Sequence, residues 1–112
     1  MKLFLSNAFS LGMLPQEELT LRVRPIILEE VQDLLEKGFI SAVGHPSTAQ
    51  LLTTLLGLPV EAQRVAIKMG RGDRLIVFQL GVRLEEGRIL NEEEVKALYE
   101  QGLASFWLVE VL

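Results

Sequence analysis

Arg64-Val65-Ala66-Ile67-Lys68-Met69, Gly70-Arg71-Gly72-Asp73 and Leu75-Ile76-Val77-Phe78-Gln79-Leu80-Gly81-Val82 read together as strand, turn and strand. The first run alternates apolar and polar side chains at period two. The second is rich in large and β-branched residues, and the glycines and aspartate between them supply turn chemistry. A hairpin is therefore expected over 64–82. Along its return strand Leu75, Val77, Gln79, Gly81 and Arg83 share one face. A glutamine and an arginine four residues apart, with glycine between them, leave room for a ligand to approach the backbone. The ordinary alternative is an exposed strand face with an arginine at the loop end. Arg71-Gly72-Asp73 matches an adhesion tripeptide but reads here as a turn, and Gly70-x-Gly72 lacks the strand-to-helix setting of a dinucleotide site.

Upstream, Lys2 to Ser6 reads as a short buried strand, followed by a loop from Asn7 to Pro15 that starts with small polar side chains. Leu19 to Arg24 alternates at period two, a half-exposed strand with Thr20, Arg22 and Arg24 on its polar face. Pro25 is expected to open a helix with the stripe Leu28, Val31, Leu34 and Leu35, stopped by Gly38. Phe39 to Val43 reads as a short apolar link. Downstream, Arg83 to Arg88 is a polar junction, Asn91 caps a helix bearing Val95, Leu98 and Tyr99, and Ala104 to Leu112 is a final apolar strand. Its Trp107 has aliphatic neighbours, which favours a core or dimer contact over a base-stacking platform. Five strands and three helices in this order predict one α/β domain over residues 1–112, a mixed, roughly five-stranded sheet with about three helices packed on it.

Gly44-His45-Pro46-Ser47-Thr48 is where chemistry concentrates. It holds the chain's one histidine and stands where a loop becomes a helix. Ser47 and Gln50 have capping-box spacing, and Pro46 suits a first turn whose N–H groups lack partners. Leu51, Leu52, Leu55 and Leu56 form the apolar stripe, and Gly57 closes the helix. Such a helix start offers free N–H groups and positive potential, so it suits a phosphate with His45 as a proton donor beside it. The bland alternative is a surface histidine next to an ordinary cap.

Composition narrows the classes. Half of the 112 residues are hydrophobic and 23% are charged, as in a globular domain. A net charge of −4 disfavours a general binder of duplex nucleic acid, so a phosphate ligand would need a local cluster of arginines. The absence of cysteine rules out disulfides and thiolate metal sites and fits a cytoplasmic protein, the host-cell cytoplasm if the source is viral. Met1-Lys2-Leu3-Phe4-Leu5 superficially resembles a signal peptide, yet Asn7 and Ser10 interrupt it before a long enough apolar region forms, so a strand is expected. No stretch is long enough to span a membrane. Asp and Glu never fall at metal spacing with His45, so neither a metal nor another cofactor is expected.

Ser6-Asn7-Ala8-Phe9-Ser10-Leu11-Gly12-Met13-Leu14, then Gly44-His45-Pro46-Ser47-Thr48-Ala49-Gln50-Leu51-Leu52, Arg64-Val65, Gln79 and Arg83-Leu84-Glu85-Glu86-Gly87 resemble the viral ring nuclease family, in order and over nearly the whole chain. These are small anti-CRISPR proteins directed against type III systems, with cellular copies also known. The resemblance implies a homodimer that binds cyclic tetra-adenylate and cuts it, without metal, into linear di-adenylates ending in a 2′,3′-cyclic phosphate. It implies His45 as general acid, Arg83 as the stabiliser of phosphoryl charge, and Glu86 as the carboxylate that orients the imidazolium. Asn7, Ser10, Arg64 and Gln79 are carried over as ligand-positioning groups, with Gln79 able to donate to and accept from an adenine edge.

Two other classes compete. A non-enzymatic viral nucleic-acid-binding regulator fits the size, but the acidic balance and the lack of a basic stripe count against it. A structural or adaptor protein fits the apolar composition and leaves the polar cluster idle.

Overall fold

Leu3–Ser6 is buried along its whole length, the pattern of a strand with neighbours on both sides and layers on both faces. The computed structural model describes residues 1–83 and 88–112. Its strands are Leu3–Ser6 (β1), Leu21–Ile26 (β2), Ile40–Ser41 (β3), Arg74–Leu80 (β4) and Ala104–Val111 (β5). Its helices are Leu28–Glu36 (α1), Pro46–Leu56 (α2) and Glu92–Glu100 (α3). The strands form one sheet in the order β2-β5-β4-β1-β3. β1 runs parallel to both β3 and β4, whereas β5 is antiparallel to both β4 and β2, so the sheet is mixed as expected.

The two faces of the sheet are covered differently. Ile76, Phe78, Phe106 and Leu108 face the helices and pack with Val31 and Leu35 of α1, Leu52 and Leu55 of α2, and Val95 of α3. Phe78 and Phe106 meet there with ring centroids 5.2 Å apart, within the range of favourable aromatic pairs. The opposite face carries Phe4, Leu75, Val77, Val109 and Val111. Its cover comes from loops, through Ile67 and Met69 together with Phe9, Met13 and Leu14.

That cover corrects the expected hairpin. Residues 64–69 form no strand, because β4 already has β1 on one side and β5 on the other and no open edge remains. The alternation reported burial instead. Ile67 and Met69 point into the core, the Met69 N–H donates to the Met13 carbonyl at 2.8 Å, and Lys68 Nζ donates to the Gly12 carbonyl at 3.3 Å. The fifth strand is β3, within the stretch expected to be a mere link. Its outer edge is closed by the chain that follows α2. Val43 bridges Ala62, Gln63 Nε2 donates to the Ser41 carbonyl at 2.7 Å, and Ser41 Oγ donates to the Glu61 carbonyl at 2.6 Å. Those bonds occupy polar groups that an open edge would offer to another strand.

Pro25 also departs from expectation. It lies in β2 opposite Trp107 and does not open a helix. β2 is an edge strand, so a residue without an N–H is tolerated there. The helix starts at Leu28 after Ile27, which has no side chain to cap it, and the Leu28 N–H is taken by the Tyr99 hydroxyl of α3 at 2.9 Å. The capping box of Ser47 and Gln50 is likewise not made, since the N-cap of α2 is His45, with Pro46 in the first turn and no side-chain cap bond. Asn91 does cap α3, in a full box with Glu94. Bonds from the Asn91 N–H and from Arg88 hold the Glu94 carboxyl below its ordinary pKa. Gly57 closes α2 in the left-handed region at φ 72°, where a side chain would be strained.

These caps are separable by mutation. Asn91→Ala should cost about 1 kcal/mol of unfolding free energy, and Tyr99→Phe a similar amount, roughly 1 kcal/mol, by orphaning the Leu28 N–H. Ser47→Ala should stay within about 0.5 kcal/mol, because no cap bond is lost. Urea unfolding of the three variants checks this; a Ser47→Ala loss equal to that of Asn91→Ala would place Ser47 back in a capping role.

Candidate functional site

Three parallel strands end at one edge of the sheet, and each delivers a polar residue there. β1 runs into Asn7, β3 leads through Val43 into Gly44-His45 and α2, and β4 leads through Gly81 and Val82 to Arg83. The carboxyl ends of parallel strands are where open α/β sheets commonly bind ligands. A buried serine ties two of these ends together: Ser6 Oγ donates to the Ala42 carbonyl at 3.4 Å and accepts from the Ala8 N–H at 3.3 Å. The closed edge of β3 brings in a fourth group. The Gln63 N–H donates to the Val43 carbonyl at 2.8 Å, which sets Arg64 beside Gly44.

The result is an open cleft of about 740 Å³ lined by Asn7, His45, Pro46, Ser47, Thr48, Arg64, Phe78, Leu80 and Arg83. A second cleft of about 400 Å³ adjoins it, sharing Asn7 and Leu80 and adding Gln79, Gly81, Gly102, Leu103 and Ser105. Of the residues singled out in the sequence, Asn7, His45, Arg64 and Arg83 therefore meet in one cavity, with Gln79 next door. Ser10 is exposed on the loop after β1 and lines neither cleft. Glu86 lies outside the described residues. Ser47 and Thr48 also line the cleft; the capping assignment hid Ser47, since a hydroxyl engaged in a cap would not face a ligand, and no local signal singled out the Thr48 side chain. Ser105 was hidden too. It sits directly opposite Gln79 on β5, a register that no local pattern shows.

The electrostatics favour an anion. Two arginines and the amino end of an eleven-residue helix converge, and among the described residues no aspartate or glutamate lines this cleft. The first intrahelical bond of α2 runs from the Ala49 N–H to the His45 carbonyl at 3.0 Å. Pro46 has no N–H, so those of Ser47 and Thr48 are left without an intrahelical acceptor. Both point where a phosphate would gain from the helix dipole. Phe78 and Leu80 supply an apolar floor. Among the described residues, no group of three His, Asp or Glu side chains comes together as a metal site. An imidazole, two guanidiniums and free amides can bind a phosphodiester, stabilise added charge on it and hand a proton to a departing oxygen.

Known proteins place the chain in context. B116 of Sulfolobus turreted icosahedral virus has a solved structure that superposes with a TM-score of 0.91 at 37% identity, covering 98% of this chain and 99% of that one. An uncharacterized protein 26 of Sulfolobus islandicus filamentous virus is 35% identical over 111 residues, 98% of this chain and 92% of the relative. The uncharacterized protein YddF of Bacillus subtilis is 32% identical over 83 residues, 70% of this chain and 77% of its own length. The STIV B116-like family model matches residues 3–104, and the chain belongs to that family.

Proposed function

We propose that this protein binds cyclic tetra-adenylate and cleaves it, without metal, to linear di-adenylates carrying a 2′,3′-cyclic phosphate. The observation that carries the reading is the convergence of His45, Arg64, Arg83 and Asn7 in one cleft at the amino end of α2. The sequence resemblance to viral ring nucleases rests on the same residues and supplies the ligand.

The chemistry follows from the substrate. Each ribose 2′-hydroxyl lies beside its own 3′-phosphodiester, so the ring brings its own nucleophile. The 2′-oxygen bonds to phosphorus, the bond from phosphorus to the 5′-oxygen breaks, and the 2′-hydroxyl proton is released. His45 donates a proton to the departing 5′-oxygen. Arg83 and Arg64, with the amides of Ser47 and Thr48, oppose the charge that grows on the phosphorane. Gln79, which lines the adjoining cleft, meets a base in this reading while the phosphate sits at the helix end. The acting species is a two-fold homodimer, whose paired sites match two-fold relations of the ring and explain two di-adenylates as product. In support, the loop-covered face of the sheet leaves Trp107 and Val23 exposed, apolar surface available to a second copy.

Incubation with cyclic tetra-adenylate in excess chelator tests the reading directly. Mass detection should show di-adenylate cyclic phosphates at an undiminished rate, with one ring bound per two chains by calorimetry and light scattering. Activity that vanishes in chelator and returns with one divalent ion would falsify the acid–base scheme. His45→Ala should lower turnover roughly a hundredfold to ten-thousandfold while ring binding persists, because the acid acts on the leaving group. A folded variant that cleaves at the wild-type rate removes His45 from the mechanism. Arg83→Lys keeps the charge but loses the planar fork, so turnover should fall by about tenfold or more. Equal activity would reduce Arg83 to a distant positive charge.

A further inference from the structure

We propose that Gly44 is a positioning residue: it forms a clamp with Arg64 that fixes the guanidinium across the cleft, so that its terminal nitrogens are presented to an anion. The inference rests on the phosphate-binding reading above and extends it to a residue with no side chain of its own. Glycine at 44 is not explained by backbone shape. Among the described residues the glycines with positive φ are Gly38, Gly57, Gly72 and Gly102, and Gly44 is not one of them. What it provides is space and a carbonyl. A β-carbon built at 44 would lie 3.4 Å from Arg64 Cγ and 3.9 Å from its Nε, so the arginine stem already occupies the volume beside this residue. Arg64 Nε donates to the Gly44 carbonyl at 3.2 Å.

An arginine has five N–H donors in a planar fork. Committing the Nε–H to Gly44 leaves four on Nη1 and Nη2, and it fixes the plane in which they lie. Arg64 itself is exposed and lines the cleft, so without this bond its long side chain would sample many rotamers. The clamp is anchored at both ends. The Gln63 N–H bonds the Val43 carbonyl, and Gly44 is joined to His45, the N-cap of α2. One peptide thus sets the arginine and the histidine relative to each other. Ordering a flexible side chain before binding spares that cost at the moment of binding, an effect of roughly two- to twelve-fold in affinity for one such side chain.

The test has an arm that needs no ligand. In the free wild-type chain, the Arg64 Nε–H should give a resolved NMR signal in slow exchange with water, and Gly44→Val, which branches at the β-carbon, should abolish it. A wild-type signal exchanging as fast as that of the variant overturns the clamp. The second arm is affinity for cyclic tetra-adenylate in the His45→Ala background, which should hold the ring uncleaved. Gly44→Val should weaken binding by roughly two- to twelve-fold, and it should add nothing once Arg64→Ala is present. Equal losses from Gly44→Val with and without Arg64 would show that residue 44 acts independently and overturn the inference. A wild-type chain that holds its Nε–H but binds no ring removes the proposed function and leaves the clamp standing.

Discussion

The parallel pairing of β1 with both β3 and β4 is the constraint on which the site depends. β1 is apolar up to Ser6 and buried along its whole length, so it belongs at an interior position of the sheet. Parallel neighbours must be joined by long connections, and α1 and α2 lie on the paths between these strands. A consequence of shared direction is that all three strands end at the same edge. Asn7, His45 and Arg83 are 76 positions apart from first to last, yet the sheet sets them around one cavity. An antiparallel pairing of any one of these strands would have sent its terminal residue to the far edge.

The unequal covering of the sheet follows from the same arrangement. The three α-helices described pack on one face, and the other is closed by loop residues and by Met13 of the short 3-10 turn Leu11–Met13. A loop over a core must satisfy its own backbone, and here it does so partly against another loop, through the Met69 N–H and the Met13 carbonyl. The cover is incomplete at Trp107 and Val23, which stay exposed on the strands nearest the β2 edge.

Charge is distributed so that the net value says little about the site. The chain carries −4, but several of its acids are engaged with arginines away from the cleft. Arg22 meets Glu110, Arg24 meets Glu30 and Arg71 meets Glu17. Arg64 is bound to a carbonyl, which leaves its charge uncompensated by that contact. Among the described residues, placement of a few groups thus gives the cleft a cationic lining in an acidic protein, and charges beyond about 8–10 Å are largely screened at ordinary salt.

Much of the chain was determined by its own sequence. The buried strand at 3–6, the stripe of α2 with its glycine stop, and the Asn91 cap are set by interactions within a few residues, so local chemistry suffices to read them. His45 at a helix start was legible for the same reason. Apart from the Ser47–Gln50 capping box, a local misreading, the others involve partners far along the chain. Residues 64–69 carry strand periodicity, but pairing requires an open edge, and only the assembled sheet shows that β4 has none. Ile40–Ser41 is too short to declare itself and is a strand because β1 lies alongside. Pro25 is tolerable in a strand because that strand is outermost, and the Leu28 N–H at the helix start is met by the Tyr99 hydroxyl from 71 residues away. The meeting of Asn7, His45, Arg64 and Arg83 belongs to this second kind. Residue types and local spacing prescribe a helix end able to hold a phosphate, whereas the arginines reach it only through strand order and direction, which are properties of the whole sheet.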